Sequence, residues 1–277
     1  MTLTRRQRTV ACWLLLSPLL VLILLPYVVM LSTALKSAPE VFTFPPRWLP
    51  EKIDFSNFTV IWGKIGFARA LLNSLYVSIG ATILTLVTAI PAAYAMARYS
   101  LPGKGPLRLF LLLTQMTSPV VLIIGIFRMM SALHLINDHL SLILAYSGFS
   151  VAFAVWMLQS YFETIPREIE EAAYIDGASW WVSLRHIFLP LALPAIGVAA
   201  IFTFIAAWTD FILAFTLLRT PEKLTATMKL FYLVSGTYHV DWNEVMAATL
   251  VTTVPVAIVF LLLQKHIVGG LAVGAVK

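Results

Sequence analysis

The sequence predicts an all-α integral membrane protein with about six transmembrane helices. Hydrophobic residues make up 60% of the 277 residues and charged residues 12%, and the mean hydropathy is +0.89. With 13 acidic residues, the chain has too few charges to solvate the surface of a soluble domain of this length. Its apolar residues fall into six stretches, each about as long as a helix that crosses a bilayer.

The rest of the composition argues against several other classes of protein. The net charge of +6 fits the basic flanks of membrane spans and anionic lipid headgroups, and is no sign of nucleic-acid binding. A single cysteine, Cys12, excludes an internal disulfide. The five histidines are not paired at the spacing of metal ligands, so we expect no metal site.

The first predicted span runs from Cys12 to Leu35 and follows a basic N-terminal segment, residues 1–11. The RRQR start followed by an apolar run imitates a signal peptide, but a run this long predicts an uncleaved membrane helix. Residues 36–69 are polar, and the prolines and aromatic residues of TFPPRWLPE and DFSNF predict a folded surface loop.

The other five spans form a transmembrane core predicted over residues 70–265, followed by a tail at residues 266–277. Residues 163–190, which we call the polar loop, separate the fourth span from the fifth. Small residues recur every four positions in two of the spans, a pattern that permits tight helix packing. The spans are predicted at Ala70–Ala97, Leu107–Met130, Leu140–Ser160, Leu191–Phe215 and Met246–Lys265. The small residues are Ala89, Ala93 and Ala97, and Ala195, Ala199, Thr203 and Ala207.

Six spans place both termini, the SLPGKG turn and the polar loop on one side of the membrane. That side carries 10 lysines and arginines and the other carries 9, so the overall count barely separates the two. The compact RRQR start and the short SLPGKG turn favour the cytoplasm for that side. We therefore expect both termini to be cytoplasmic and residues 36–69 to be periplasmic or extracellular.

The sequence contains no motif for nucleotide binding or covalent catalysis. PGKGP lacks the GxxxxGK[ST] pattern of a P-loop, and neither HExxH nor GxSxG occurs. We therefore expect neither an enzyme nor a cofactor-binding chain. If this protein moves a solute uphill, the energy must come from an ion gradient or from another subunit.

Four polar residues within the predicted spans are candidates for a translocation pathway. Asp210 is the only ionisable one, and it lies towards the end of its span, where it is either a structural or cavity-lining group or a proton relay. Ion coupling therefore stays open as an alternative, as a secondary transporter or channel subunit, and so does a membrane scaffold. The four residues are Asn73, Gln115, Gln159 and Asp210.

The segment from Pro166 to Pro194 is the one polar island in the second half of the chain. Pro166 suits a first helical position, and the glutamates after it favour the positive end of a helix dipole. Gly177 is placed to end that helix, and Ser179 is placed to cap a second one. The segment is either an amphipathic linker on the lipid surface or a docking element for a soluble partner. One face of the first helix is predicted to carry Ile169, Ala172, Ala173 and Asp176.

An ordered set of residues in this island resembles the EAA motif. That motif marks the transmembrane subunits of type I ABC importers, the binding-protein-dependent, MetI-like permease family. GTYHVDWNEVMAA, Gln264 and the tail GGLAVGAVK are similar to the maltose-type permeases of the carbohydrate branch. The AWTDF stretch departs from that branch, which commonly has Asn where this chain has Thr209. The EAA residues are Glu171, Ala172, Ala173, Asp176, Gly177, Ala178, Ile187, Leu189, Pro190 and Pro194.

The resemblance implies the type I importer permease fold, with a cytoplasmic coupling helix in the polar loop and Gly177 as its hinge. Glu171 is expected to pair with a basic residue of a separate ATPase subunit, which would bind ATP and Mg. The chain itself is expected to bind no cofactor. The residues expected to couple to the ATPase are Glu171, Ala172, Ala173, Asp176, Gly177, Ala178, Ile187 and Pro190.

The resemblance also implies the partners of the chain. These are a second, non-identical permease subunit, a homodimer of ATPase subunits, an extracytoplasmic solute-binding protein and a sugar or sugar-like substrate. The chain would form half of the translocation pathway of an importer in a bacterial or archaeal cytoplasmic membrane. The loop between Arg219 and Val245 would either dislodge the sugar from the binding protein or only provide docking surface.

Overall fold

The structure, a computed structural model, describes residues 5–63, 66–235 and 240–274. In these ranges the regular structure is helical and no strand occurs. The α-helices are α1 Arg5–Ala34, α2 Ala38–Val41, α3 Ser56–Gly63, α4 Phe67–Arg98, α5 Lys104–Met116, α6 Pro119–Ala132, α7 His139–Phe162, α8 Arg167–Ile175, α9 Trp180–Ser183, α10 Leu189–Leu191, α11 Leu193–Thr209, α12 Ile212–Leu217, α13 Ala226–Val234 and α14 Trp242–Gly274. A π-helix at Leu184–Phe188 joins α9 to α10, and a 3-10 turn covers Pro221–Lys223.

Four helices of the described chain are long and apolar enough to cross a membrane, and two bent helix pairs would raise the number of spans to 6. The prediction of an all-α protein with several membrane spans is therefore confirmed. The four continuous helices cover Cys12–Ala34, Phe67–Arg98, His139–Phe162 and Trp242–Gln264.

The third predicted span is not one straight helix. α5 ends at Met116 and α6 begins at Pro119, and the two helices meet at 100°. Ser118 precedes a proline, which disfavours the helical conformation there, and its hydroxyl caps α6 by accepting a hydrogen bond from the Val120 N–H. The bend therefore follows from two adjacent residues inside an otherwise apolar run.

The fifth predicted span, Leu191–Phe215, also differs from the observed helix at both ends. The helical run over Trp180–Leu191 meets α11 at 77°, so α11 begins only at Leu193. α11 ends at Thr209, and Asp210 has extended backbone angles of −68° and 136°. The Asp210 carboxylate accepts a hydrogen bond from the Leu213 N–H at 3.0 Å, so it caps the separate helix α12. The span therefore ends at the one ionisable side chain in it.

The chain divides into two compact units, residues 1–68 with 229–254 and residues 69–228 with 255–277. In the first unit, the loop after α1 is folded around Asn57, which is 4% exposed. Its amide nitrogen donates to the carbonyls of Ala34 and Lys36, at 2.8 and 2.9 Å, and its amide oxygen accepts from Asn243 at 2.6 Å. Asn57 thus satisfies carbonyl groups at the end of α1.

In the second unit, both predicted stripes of small residues are buried. Ala89, Ala93 and Ala97 of α4 pack in one hydrophobic cluster with Leu158 and Phe162 of α7. Small side chains let helix backbones approach closely, and this packing places the ends of α4 and α7 against the polar loop. The stripe of α11 is also buried, at Ala195, Ala199, Thr203 and Ala207.

Candidate functional site

The polar loop folds into two helices that turn at Gly177. The Ala178 N–H donates to the Ala173 carbonyl at 2.9 Å, and the Gly177 N–H donates to the Tyr174 carbonyl at 3.0 Å. This pair of bonds is a Schellman motif, and it requires a positive φ, which is 81° at Gly177. A Cβ atom at Gly177 would meet no atom within 4 Å, so the requirement for glycine is conformational and not steric.

The second helix begins where the sequence indicates. Ser179 is extended, and its hydroxyl accepts a hydrogen bond from the Val182 N–H at 3.5 Å. The helix continues through the π-turn to Leu191, so Ile187 lies half-buried against the core while Pro190 is exposed. Pro166 is the N-cap of α8, one residue before the helical position expected for it.

The predicted face of α8 is divided by exposure. Ala173 is 8% exposed and faces the protein, whereas Ile169, Ala172 and Asp176 are exposed. Ala172 and Ala173 are about 100° apart around the helix axis, so one can pack against the protein while the other is exposed. Glu170 accompanies Ala173 on the buried side.

The exposed side of α8 carries both a charge and an apolar side chain. Glu171 is exposed, and Ile175, one turn later, is 86% exposed. Trp181, at the start of the second helix, is 53% exposed. Large apolar side chains beside a carboxylate, on a loop between membrane spans, are typical of a surface that another protein covers.

Sequence reasoning missed Glu170, which is the buried acid of the loop. Its carboxylate accepts hydrogen bonds from the hydroxyls of Tyr94, at 2.5 Å, and Tyr174, at 3.1 Å. Its second oxygen lies 3.3 Å from Nε of Arg98, the last residue of α4. We call Tyr94, Arg98, Glu170, Tyr174 and Phe188 the Arg98 cluster. The signal available in the sequence was the pair Tyr94 and Arg98, one turn apart at the end of a membrane helix.

The four candidate pathway residues lie at separate places, and each binds a different partner. The Asn73 amide donates to the carbonyls of Glu222 and Leu224, each at 2.9 Å. The Gln159 amide donates to Glu163 at 2.8 Å, and that side chain is also 3.7 Å from Lys104. Both contacts fix neighbouring segments of the chain.

The other two candidates, Asp210 and Gln115, also have different hydrogen-bond partners. The Asp210 carboxylate accepts hydrogen bonds from the Tyr146 hydroxyl at 2.8 Å and from the backbone of α12, so structural contacts occupy it. Gln115 is exposed and donates to the Phe149 carbonyl at 3.1 Å. The Gln115 side chain also borders a cavity.

Two cavities border α7, one where it meets α5 and α6 and the other where it meets α5 and α11. The first, of about 280 Å³, is lined by Thr114 and Thr117 together with apolar side chains. The second, of about 270 Å³, is lined by residues that include Gln115, Phe153 and Thr203. Within the described residues, the buried Thr203 hydroxyl has no hydrogen-bond partner. Both linings are neutral. The first combines hydroxyl groups with apolar side chains, and the second combines amide, hydroxyl and aromatic groups, as sites for uncharged polar ligands do.

Residues 89–273 match the family described as "Binding-protein-dependent transport system inner membrane component". The match covers more than half of the chain, and the chain belongs to this family. It is therefore a multi-pass permease subunit of the inner membrane and not an enzyme, as the sequence predicted.

Several permeases are similar over almost the whole chain. The diacetylchitobiose uptake system permease NgcG of Streptomyces coelicolor is 32% identical over 93% of this chain and 85% of its own length. The sulfoquinovosyl glycerol permease SmoH of Agrobacterium fabrum is 35% identical over 94% of this chain and 91% of its own length. The trehalose permease SugB of Mycobacterium tuberculosis is 33% identical over 92% of each chain.

The fold matches a solved chain of a bacterial ABC transporter that imports the acidic polysaccharide alginate. The TM-score is 0.82 at 23% identity, over 96% of this chain and 99% of that one. This likeness confirms the fold of an ABC importer permease.

Proposed function

We propose that this chain is one of two non-identical transmembrane subunits of an ATP-driven carbohydrate importer. It contributes half of the pathway, and its polar loop receives the movement of a separate ATPase subunit. The observation that carries the proposal is the two-sided helix α8, whose buried face is fixed to α4 while its exposed face presents Glu171 and Ile175.

The exposed side of the loop supports docking to a soluble protein over lying on lipid. Glu168 and Glu171 flank its outer surface, and two carboxylates there would be repelled by anionic headgroups. A helix end with a carboxylate for register and an apolar side chain for contact suits a cleft in a partner protein. In this proposal, the ATPase dimer binds ATP and Mg and closes against the loop. The coupling residues keep the roles expected for them, with Gly177 setting the turn.

The relatives and the cavities support a carbohydrate as the solute. Relatives named for diacetylchitobiose and trehalose are about a third identical to this chain over nearly its full length. We propose that Gln115 contributes to the pathway, since the cavity that it borders offers amide and hydroxyl groups to a neutral sugar. Asn73, Gln159 and Asp210 stay predictions.

The topology follows from the position of the polar loop. If the ATPase docks on this loop, both termini, the SLPGKG turn and the loop face the cytoplasm, and residues 36–69 face the solute-binding protein. The loop between Arg219 and Val245 lies on that outer side, where it contacts the binding protein. Residues 236–239 within it, and residues 275–277 of the tail, lie outside the described residues.

Reconstitution with the second permease, the ATPase and the binding protein tests the proposal. We expect ATP hydrolysis to be stimulated by the binding protein and one sugar from a panel of trehalose, diacetylchitobiose, sulfoquinovosyl glycerol and alginate oligosaccharide. The neutral cavities predict that a neutral sugar stimulates more than acidic alginate. Uptake by the chain alone, driven by an ion gradient and without ATP, would refute the proposal in favour of the ion-coupled alternative.

Gly177→Ala and Glu171→Gln test the role of the loop itself. The left-handed backbone at Gly177 costs a non-glycine residue about 1–2 kcal/mol, which is enough to shift the turn without unfolding the spans. Each variant is expected to insert normally and to lower stimulated ATP hydrolysis at least about fivefold, within the usual range of coupling energies. Gly105→Ala is the matched control, since a Cβ there also meets no atom and its φ is ordinary. Unchanged stimulation in both loop variants would contradict the assignment.

A further inference from the structure

Arg98, at the end of α4, contacts both arms of the polar loop. On the side before Gly177, its guanidinium donates to the Ile165 carbonyl at 2.8 Å and lies 3.3 Å from the Glu170 carboxylate. On the side after Gly177, its central carbon lies 4.7 Å from the centre of the Phe188 ring. One side chain therefore connects α4 to the segments on either side of the turn.

Burial makes these contacts hard to change. The side chains of Arg98 and Glu170 are 4% and 10% exposed. The hydroxyl groups of Tyr94 and Tyr174 both donate to one oxygen of the carboxylate, and the other oxygen lies 3.3 Å from Nε of Arg98. If α8 slid along α4, two charges would separate in a medium with little water to solvate them. The pair therefore opposes any movement of α8 relative to the end of α4.

Aromatic rings surround the ion pair and extend the contact to α7. The Tyr94 ring lies edge-on to Phe188 at 4.9 Å and to Phe162 of α7 at 6.3 Å. Phe162 and Phe188 also contact each other, at 5.8 Å between ring centres. Both phenylalanines are fully buried, so the rings exclude water and hold the pair from several directions.

The buried Arg98–Glu170 pair lies one residue away from Glu171 on the exposed side of α8. Glu170 points into the protein and Glu171, its neighbour, is exposed. A force applied at Glu171 therefore acts directly beside the attachment of α8 to α4. The two glutamates are adjacent in a regular helix, so no flexible segment separates them and a displacement of Glu171 is transmitted to Glu170.

We propose that Arg98 and Glu170 are the positioning residues that make the polar loop and the end of α4 move as one rigid body. The proposal rests on the proposed function, since it takes α8 as the element that an ATPase displaces. Glu171 then serves the contact with the partner, and Glu170 delivers the displacement to the membrane helix. The two adjacent glutamates have separate tasks because one is solvated and the other is paired with Arg98.

Glu170→Gln tests the proposal with little change in shape. It removes the charge, keeps an acceptor for the tyrosine hydroxyls and leaves the docking face intact. The readout is the number of sugar molecules taken up per ATP hydrolysed in proteoliposomes, with the sugar of the panel that stimulates the wild type most. We expect this ratio to fall about tenfold while the ATPase still copurifies. A purely structural role would reduce the amount of complex and leave the ratio unchanged, which would overturn the proposal.

A covalent replacement of the ion pair gives the sharper test. Because Cys12 is the only cysteine, Arg98→Cys with Glu170→Cys in a Cys12→Ser background offers one pair of thiols. Without a cross-linker, we expect the same loss of coupling as in Glu170→Gln. A short bis-methanethiosulfonate spacer should restore the number of sugar molecules taken up per ATP to within about threefold of the value for the Cys12→Ser parent. A spacer that joins the thiols and leaves the complex uncoupled would show that α8 must pivot on α4, contrary to the proposal.

Glu171→Gln separates this inference from the function on which it rests. If the loop is not the coupling element, Glu171→Gln and Gly177→Ala both leave stimulated ATP hydrolysis unchanged, and the proposed function fails. If those two variants are uncoupled while Glu170→Gln transports with the wild-type ratio, only the inference fails. If the cysteine pair does not assemble, the ratio measured for Glu170→Gln still decides between a positioning role and a structural one.

Discussion

The two ends of α4 hold their neighbouring segments by different chemistry. At one end, the Arg98 cluster fixes the polar loop through a buried ion pair enclosed by aromatic rings. At the other end, about 37 Å away at 1.5 Å per residue, Asn73 donates to two backbone carbonyls and the Ser74 hydroxyl accepts from the Ala226 N–H at 2.8 Å. We call Asn73, Ser74, Asn137, Asp138 and Lys223 the Asn73 cluster.

The Asn73 cluster consists mostly of neutral bonds to the backbone. The Asn137 amide oxygen accepts from the N–H groups of Arg219 and Thr220, at 2.9 and 3.1 Å. Its one ion pair, Lys223 with Asp138 at 3.4 Å, is 37% and 50% exposed. Such bonds fix the shape of a surface segment one peptide at a time, so the loss of one is local. A buried ion pair is lost as a whole, which suits a joint that must transmit force.

The largest effect is expected from removing one partner of the buried pair. Glu170→Leu leaves Arg98 charged and unpaired, which costs about 3–5 kcal/mol, whereas the apolar double variant Arg98→Met with Glu170→Leu is expected to be near neutral. Thermal unfolding of the purified subunit in detergent measures both. The control is Lys104→Met, which breaks the exposed pair with Glu163, keeps the hydrogen bond from Gln159 to that carboxylate and should cost only about 0–1 kcal/mol. Equal losses in Glu170→Leu and Lys104→Met would show that burial does not distinguish the two kinds of contact.

The local signals in the sequence predicted much of the fold and of the loop. Apolar runs predicted the membrane helices, and Gly177 and Ser179 lie at the helix end and the helix start that their residue types favour. These features depend on neighbours within a turn of the chain. The breaks at Ser118 and Asp210 were missed because apolar residues continue on both sides of them, which hides a change of direction.

The Arg98 cluster could not be predicted from the sequence. Tyr94 and Glu170 are 76 residues apart, and only the packing of α4, α7 and α8 brings them together. The EAA resemblance drew attention to Glu171, and nothing local distinguishes it from the glutamate before it. Asp210 is the converse case: its sequence context allowed a relay, and its two structural hydrogen bonds appear only in the folded chain.

A smaller and local effect is expected from Asn73→Asp. The carboxylate has the shape of the amide but cannot donate, so it faces the carbonyls of Glu222 and Leu224 as a third acceptor. We expect a local loss of about 1–3 kcal/mol, larger than that of Asn73→Ala. Hydrogen exchange of the Ala226 amide, which Ser74 accepts from, should quicken accordingly.

The control for this change is Thr88→Val, on the same helix. The Thr88 hydroxyl donates only to carbonyls of its own helix, at Leu84 and Thr85. Exchange at Ala226 should therefore stay as in the wild type. If Asn73→Asp slowed exchange at Ala226 or left it unchanged, the hydrogen bonds of the Asn73 amide would not be what fixes this segment. Neutral bonds to the backbone would then not explain how this end of α4 is held.

The smallest effect is expected from Asp138→Asn, which removes the exposed charge of the Asn73 cluster. The hydrogen bond from the Leu140 N–H, at 2.8 Å, lowers the pKa of Asp138 below its ordinary value of 3.8, and Lys223 adds to this. Because the pKa is lower in the folded protein, the carboxylate contributes stability above pH 3.8 that is lost as the pH falls through the folded pKa.

Asparagine caps a helix about as well as aspartate, so for Asp138→Asn we expect a loss below about 1 kcal/mol at neutral pH and no such acid dependence. The protection factor of the Leu140 amide against hydrogen exchange, compared between pH 5 and pH 3, measures the difference. An acid dependence that persists in Asp138→Asn would assign it to another group, and a neutral-pH loss as large as that of Glu170→Leu would show that burial is not what separates the two ends of α4.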